Sequence, residues 1–121
     1  MDDWSSLLQK RPNMLVVGPG AAADAFIRAV TPQLRLPVRS FVCAALPPHL
    51  PAEGTLVLRE VDTLDGDQQQ RLLRWLDEAV DSHPQVISLT TAPLYLLVQA
   101  RMFLDQLYYR LNVVHFEVIS D

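Results

Sequence analysis

The sequence predicts an α/β fold: a three-layer sandwich in which a five-stranded parallel sheet carries helices on both faces. Short, nearly continuous apolar segments alternate with segments of helical periodicity, and strands that are apolar on both sides are typical of a covered parallel sheet. The chain has 121 residues and half of them are apolar. This length and composition suit a single globular domain over residues 1–121.

Five short apolar segments predict the strands of this sheet. The first stops at Gly18-Pro19-Gly20, which predicts a tight turn after a buried strand. Pro47, Pro48 and Pro51 predict an extended connector between the second and third strands, because proline lacks the amide hydrogen and restricts the residue before it. The predicted strands are 14–17, 38–44, 55–58, 86–89 and 113–119.

Three segments of helical periodicity connect the strands. The first covers 21–30, and the third, 94–111, is either one broken helix or two short ones. Asp67 can cap the second helix with Gln70 in a capping box. That helix must end by Ser82 or His83, before Pro84. Its predicted apolar face is Leu72, Leu73, Leu76, Ala79 and Val80.

Composition narrows the classes of function. Ten Lys/Arg against fourteen Asp/Glu give a net charge of −4, which disfavours a nucleic-acid or anionic-membrane surface. No apolar run reaches the ~18 residues that a membrane span needs, and the N-terminus is acidic where a signal peptide is basic. With Cys43 as the single cysteine, an intrachain disulfide or a cysteine zinc cluster is impossible. We therefore expect a soluble cytoplasmic protein.

The turn after the first strand is placed like a phosphate-binding loop but lacks its defining residues. Such a loop follows G-x-x-x-x-G-K-[ST], in which the lysine meets the terminal phosphates and the hydroxyl holds magnesium. This chain has Gly18-Pro19-Gly20-Ala21-Ala22-Ala23-Asp24-Ala25, so Asp24 stands where the lysine belongs. The reversed charge opposes phosphate binding. A purely structural interpretation places Asp24 in the first helical turn, where a carboxylate stabilises the helix dipole by roughly 0.3–1 kcal/mol.

The end of the third strand departs from a nucleotide site in the same way. Hydrolytic sites of this kind place Asp-Glu after the strand, the aspartate for magnesium and the glutamate to polarise water. Here the strand is followed by Arg59-Glu60. The glutamate is present, and a cation replaces the metal ligand.

The run at 103–113, Phe-Leu-Asp-Gln-Leu-Tyr-Tyr-Arg-Leu-Asn-Val, is close to F-R-x-D-L-Y-Y-R-L-N-V, a motif of the ATPase domain of the bacterial sigma-54 enhancer-binding activators. Four further stretches occur in the same order as in that family: 15–18, 41–46, 54–62 and 69–76. The chain thus resembles this branch of the AAA+ family over nearly its whole length. The resemblance implies a P-loop, AAA+-like core.

Departures from the family pattern point away from activator function. Thr91 stands at the sensor position, where asparagine is usual, and Leu104 replaces the first arginine of a pair of which Arg110 is the second. The family's G-A-F-T-G-A loop, which contacts sigma-54, is missing between the second and third strands, so no direct sigma-54 contact is expected. The helical lid is also absent after the fifth strand. The remnant nucleotide-site positions are Gly18, Gly20, Asp24, Arg59, Glu60 and Thr91.

The two reversed charges suggest a specific contact. In a P-loop fold the lysine at the helix start and the aspartate at the strand end face each other across the nucleotide. Asp24 and Arg59 hold those places here, and we hypothesise that they form a salt bridge that closes the vacant site. The alternative is that both side chains reach solvent separately at the rim.

The expected function is non-enzymatic: a pseudo-ATPase domain that acts as a protein-interaction or regulatory module in bacterial transcription, with no cofactor and no metal. The family assembles through faces that include the helix carrying Tyr108, Tyr109 and Arg110. One of the two tyrosines must point outward, because adjacent helical residues cannot both face the core. We therefore expect these residues at an interface with a second copy or with an AAA+ activator.

Two other functions stay open at this level. The remodelled crevice could bind a small anion through Arg59, and weak residual ATP binding or hydrolysis is supported by Gly18 and Glu60 alone. Cys43 is expected to be inert core. No metal-ligand spacing links the histidines, which are His49, His83 and His115.

Overall fold

A five-stranded parallel sheet forms the centre of the structure. The computed structural model describes residue 6 and residues 9–78 and 83–119. The strands are β1 (Met14–Val17), β2 (Val38–Val42), β3 (Thr55–Arg59), β4 (Gln85–Thr90) and β5 (Val114–Glu117). They lie in the order β2-β3-β4-β1-β5, and every neighbouring pair is parallel. The predicted sheet is confirmed.

Helices cover both faces of the sheet, as the apolar strands predict. The helices are α1 (Gly20–Val30), α2 (Gly66–Glu78), α3 (Leu94–Gln99) and α4 (Asp105–Leu111). α1 packs on one face of the sheet through Ile27 and Val30. The other face is covered by α2, α3 and α4, which bury Leu72 and Leu107 among others. The segment 94–111 is therefore two short helices, one of the two predicted forms.

Two strands are shorter than predicted. The prediction of 38–44 for β2 is wrong at its end, because Cys43–Ala45 form a 3-10 turn. The prediction of 113–119 for β5 also runs too far, since the strand ends at Glu117. Cys43 is nevertheless fully buried, as expected for a core residue.

The cap of α2 lies two residues before the predicted one. Asp65 Oδ1 accepts a hydrogen bond from the Gln68 amide at 2.8 Å, and the Asp65 amide donates to Gln68 Oε1 at 2.9 Å. This reciprocal pair is a capping box, so the predicted pairing of Asp67 with Gln70 is wrong. Leu64 is buried directly before the cap and fixes where the helix can begin.

The predicted apolar face of α2 is turned toward the sheet as far as it is described. Leu72 and Leu76 are fully buried, and Leu73 packs against the same core. Three of the predicted positions, Ala79, Val80 and Ser82, lie outside the described residues. His83 precedes β4 in non-helical backbone.

A buried glutamine connects α2 to the segment between α3 and α4. Gln69 is only 3% exposed. Its Nε2 donates to the carbonyls of Leu64 and Met102, each at 3.0 Å, and its Oε1 accepts from the Leu104 amide at 2.8 Å. We call this arrangement the Gln69 clasp. It fixes the path of the chain into α4.

Candidate functional site

A cleft opens at the carboxyl ends of the strands, where ligands bind in parallel sheets of this type. Its volume is about 310 Å³, and it lies between the turn after β1, the start of α1 and the ends of β3 and β4. All six positions predicted for the remnant nucleotide site line it: Gly18, Gly20, Asp24, Arg59, Glu60 and Thr91. The structure therefore brings together residues that are as far as 73 positions apart in sequence.

Two residues of the cleft wall, Leu89 and Thr90, were missed by sequence reasoning, whereas Ala23 lies in the stretch 18–24 that is expected to form the crevice together with 59–62. Thr90 directly precedes a predicted site position, and this adjacency is the signal that could have found it. The Thr90 hydroxyl is already engaged, because it donates to the Ala92 carbonyl at 2.9 Å.

Asp24 and Arg59 form a salt bridge inside the cleft. Arg59 Nη1 donates to Asp24 Oδ1, and Arg59 Nε donates to the Ser40 hydroxyl at 2.9 Å. The hypothesis that Asp24 and Arg59 form a salt bridge is confirmed, and the alternative of two separately solvated side chains is wrong. The cleft that both residues line stays open. The Arg59 and Asp24 side chains are 35% and 44% exposed. Solvent screens a pair at that exposure, so its contribution to stability is about 0–1 kcal/mol.

Asp24 has no role at the N-terminus of α1. The helix begins at Gly20, and its first turn contains no acidic residue. Because the dipole effect is confined to the first turn, the expectation that Asp24 stabilises the helix dipole is wrong. The carboxylate lies one turn further along, where it reaches Arg59.

In the glycine turn, Gly18 is bonded to β4 and packed against the end of β5. The Gly18 amide donates to the Thr90 carbonyl at 3.0 Å, and Pro19 has no amide hydrogen. A Cβ atom at Gly18 would lie 2.3 Å from the Val118 carbonyl oxygen. The chain leaving β5 thus packs directly on the turn, and Val118 is held there by donating its amide to the Val17 carbonyl at 2.8 Å.

Glu60 and Thr91 complete the rim of the cleft, and both are exposed. Glu60 has a left-handed backbone conformation, with φ of 57°. Thr63 stabilises this conformation, because its amide and its hydroxyl both donate to the Glu60 carbonyl, at 2.9 and 2.7 Å. The turn directs the chain from β3 into the 3-10 segment Val61–Thr63.

The charges that line the cleft do not suit a magnesium nucleotide. Asp24 and Glu60 contribute two carboxylates and Arg59 one guanidinium, which leaves an excess of negative charge. Asp24 stands where the sequence resemblance leads one to expect the phosphate-binding lysine, and Arg59 where it leads one to expect the metal ligand. Coulomb repulsion at both positions acts against a polyphosphate and its metal ion.

The second predicted site, Tyr108, Tyr109 and Arg110, divides into one exposed side chain and two that contact the rest of the chain. Tyr109 is 70% exposed, whereas Tyr108 is partly buried against the core, with the two rings 5.4 Å apart. Arg110 forms a salt bridge with Asp77 of α2, and its Nη2 donates to the Leu76 carbonyl at 2.9 Å. Arg110 therefore ties α4 to α2, and Tyr109 is the side chain of the three that points outward.

Cys43 has the character of an unreactive core thiol. Burial, reinforced by the negative charges of Asp62 and Glu60, raises the pKa of Cys43 to about 12. Its side chain therefore stays protonated at neutral pH, where it cannot act as a nucleophile.

Two of the histidines contact different side chains. The His83 ring lies 5.7 Å from Trp75, and His115 Nε2 lies 3.6 Å from the Glu117 carboxylate. Among residues 9–78 and 83–119, no three potential metal ligands come together. The same part of the chain contains no helix long and apolar enough to cross a membrane.

Comparison with known protein families shows which family this chain belongs to. A family model described as the sigma-54 interaction domain matches residues 32–120. The chain belongs to this family. The matched region includes Arg59, Glu60, Thr91 and the 108–110 segment, and it begins after the glycine turn and α1. A search of curated proteins finds no match.

Solved structures confirm the fold of this sigma-54 interaction domain. It superposes on NtrX from Brucella abortus in complex with ADP with a TM-score of 0.78, at 21% identity over 96% of the chain. The ATP complex of NtrX gives a TM-score of 0.73 at the same identity and coverage, and a further NtrX structure gives 0.70 over 89% of the chain. The chain spans about a third of the length of these NtrX structures, 34% in the first two and 32% in the third.

Proposed function

We propose that this sigma-54 interaction domain is a pseudo-ATPase that acts as a protein-interaction or regulatory module in bacterial transcription. The observation that carries the proposal is the Asp24–Arg59 salt bridge. It occupies, with both charges reversed, the positions where a nucleotide site needs a lysine and a metal-binding carboxylate. Loss of a single residue weakens such a site. Here the two reversed charges neutralise each other, so neither requires a bound ligand for neutralisation.

The backbone of the turn supports the same proposal. Phosphate loops bind through free amide groups that point at the anion. Here the Gly18 amide is bonded to the Thr90 carbonyl, and Pro19 offers none. The Val118 carbonyl oxygen also lies against Gly18, so a phosphate has no access to the turn at that residue.

Binding of another small anion is a weaker candidate for the same reasons. Arg59 would be the contact, but its guanidinium already donates to Asp24 and to Ser40. An incoming anion would be left with the remaining guanidinium donors, chiefly those of Nη2, and would lie beside the Asp24 and Glu60 carboxylates.

A thermal-shift titration tests the pseudo-ATPase proposal. With magnesium-ATP and magnesium-ADP up to millimolar concentration, we expect no change in Tm relative to magnesium alone. A ligand at about 100 times its Kd would add about 2.7 kcal/mol of stability, which is several degrees for a domain of this size. A concentration-dependent shift of that size contradicts the proposal.

A charge-swapped variant is the matched comparison. Asp24→Lys together with Arg59→Asp keeps an ion pair between α1 and β3 but places each charge where a nucleotide site has it. We expect this double variant to gain a nucleotide-dependent shift that the natural chain lacks. Equal responses in the two proteins would show that the charges are not what decides nucleotide binding.

The interaction role rests on the exposed surface of α3 and α4. Large apolar side chains that are 47–70% exposed occur there: Tyr95, Leu96, Met102, Tyr109 and Val113. With a full-length AAA+ activator as candidate partner, we expect Tyr109→Ala to weaken binding at least about tenfold, as loss of an aromatic anchor does. Tyr109→Phe keeps the ring and should retain affinity. Equal binding by the natural chain and Tyr109→Ala would remove Tyr109 from the interface.

A further inference from the structure

One edge of the sheet carries an unused row of backbone hydrogen-bonding groups. β2 is an edge strand, and the Thr55 amide donates to the Pro37 carbonyl at 3.0 Å. In a parallel pair, alternate residues of a strand direct their backbone groups toward the neighbouring strand. Because the Pro37 carbonyl bonds to β3, the backbone groups of Arg39 and Phe41 also bond to β3. The amides and carbonyls of the alternate residues Val38, Ser40 and Val42 therefore point away from the sheet. The Val42 carbonyl is the exception, because Val42 is the N-cap of the 3-10 turn Cys43–Ala45 and its carbonyl accepts the first bond of that turn. Within the described residues, no group bonds to the other five.

We propose that two copies of this chain associate through β2, antiparallel about a two-fold axis at Ser40. In that register Ser40 lies opposite Ser40 of the second copy, and Val38 lies opposite Val42. These three positions are the ones whose backbone groups point outward. The Ser40 pair gives two bonds, and the Val42 amide of each copy donates to the Val38 carbonyl of the other, giving about four backbone bonds and one continuous sheet across the dimer.

The side chains are complementary in the same register. Arg39 of one copy faces Phe41 of the other, on the sheet face opposite to Ser40, so no like charges are paired and the guanidinium can lie over the ring. A groove of about 440 Å³ runs along this face of β2 and is lined by Arg39 of the same chain, Phe41, Leu50 and Glu53, among others. Arg39 of the second copy would enter it close to the Glu53 carboxylate. Arg39 has no ion-pair partner among the described residues of its own chain.

The opposite edge of the sheet is a poorer template. In β5, the Val114 amide donates to the Asn13 carbonyl and the Val118 amide donates to the Val17 carbonyl. Only His115 and Glu117 then direct their backbone groups outward, enough for about four bonds across a two-fold axis. β2 offers the same number of backbone bonds, but in its register the Arg39 and Phe41 side chains add contacts across the axis.

This inference deepens the proposed function, on which it rests, by naming a second copy as one partner. It uses a surface other than Tyr109. The dimer proposal and the proposed interaction function can therefore fail separately. A substitution in β2 that abolishes the dimer should leave binding through α4 intact. Tyr109→Ala, if it abolishes activator binding, should leave the dimer intact.

Sedimentation equilibrium of the full chain over a wide concentration range tests the proposal. We expect a reversible monomer–dimer equilibrium, which Val42→Pro weakens at least about tenfold because it removes an outward amide from each copy. Val42 has φ of −85° and ψ of 127°, close to the values that proline adopts, so the monomer can accept the change. Val42→Thr keeps the amide and the branched shape, and it should dimerise like the natural chain.

Amide hydrogen exchange gives a readout at single residues. The amides of residues 38, 40 and 42 should exchange fast in dilute solution and become protected as concentration rises, both in the natural chain and in Val42→Thr. A monomer at all concentrations, a dimer unaffected by Val42→Pro, or protection at His115 and Glu117 instead would each overturn the proposal. Protection of the β2 amides by a different protein alone, without self-association, would also overturn it and assign the edge to that protein.

Discussion

The Gln69 clasp and the Asp24–Arg59 salt bridge are both polar junctions between distant segments, but they differ in burial. Gln69 is 3% exposed and makes three hydrogen bonds to backbone groups. The Asp24–Arg59 side chains are 44% and 35% exposed, and water can replace their contact. A buried polar group that loses its partner has nothing else to bond to, whereas an exposed one is solvated. The clasp should therefore determine stability, and the salt bridge should determine what the cleft can bind.

The largest effect is expected from removing the clasp. Gln69→Ala should lower the free energy of unfolding by about 3–5 kcal/mol, because it leaves the Leu64 and Met102 carbonyls and the Leu104 amide without their partner. Urea denaturation measures this change. Gln70→Ala, at the exposed neighbouring position, should stay within about 0.5 kcal/mol of the natural chain. A loss below about 1 kcal/mol for Gln69→Ala would mean that the clasp is not the stabilising junction.

A change in the glycine turn should have the next largest effect. Gly18→Ala would place a methyl group 2.3 Å from the Val118 carbonyl oxygen, and the resulting displacement should cost about 1–3 kcal/mol in thermal or chemical unfolding. Gly20→Ala is the matched control, since no atom lies within 4 Å of its Cβ position. Alanine is also the better helix former, so stability there should be unchanged or slightly higher. Equal losses at the two glycines would show that the contact with Val118 is unimportant.

Alkaline pH should reveal the burial of Cys43. The pKa of this thiol is raised from 9.0 to about 12 in the folded protein. Its contribution to stability is therefore complete below about pH 9 and is lost as pH rises toward 12, because the unfolded chain releases the proton first. The free energy of unfolding should fall by up to about 1.4 kcal/mol per pH unit in that window. Cys43→Ala should show a shallower decline, and parallel pH profiles of the two proteins would contradict the assignment.

The smallest effect on stability is expected at the cleft. Arg59→Ala and Asp24→Asn should each cost less than about 1 kcal/mol, with a coupling energy of about 0.2–1 kcal/mol in a double-mutant cycle. The coupling should decrease at high salt, as it does for exposed pairs. A coupling above about 2 kcal/mol would show that the pair is a structural junction like the clasp, and the contrast between the two regions would be lost.

The features that were predictable from sequence are those with a local or positional signal. Continuous hydrophobicity predicted the strands. Two reversed charges, at positions that face each other in a P-loop fold, predicted the salt bridge in the cleft. The ends of β2 and β5 were not predictable in the same way. The apolar residues beyond Val42 continue inward as a 3-10 turn that buries Cys43, and hydrophobicity alone does not distinguish a turn from a strand.

The cap of α2 shows how local signals can be ambiguous. Asp65 and Gln68 have the same spacing as Asp67 and Gln70, and each pair fits a capping box. Burial of Leu64 decides between them, and that is a tertiary contact. The Gln69 clasp depends even more on distant residues, because its partners include Met102 and Leu104. The signal for the clasp in the sequence was the position of Gln69. It lies three residues before Leu72 and seven before Leu76, which places a polar amide on the apolar face of the helix.

The Val118 carbonyl against Gly18 has a consequence for how the cleft can move. β1 and β5 are neighbours in the sheet, so opening the glycine turn requires the end of β5 to loosen, and the bond from the Val118 amide to Val17 breaks with it. Any ligand that does enter the turn will therefore be coupled to fraying of an edge strand. Its binding will be visible as faster exchange of the Val118 amide.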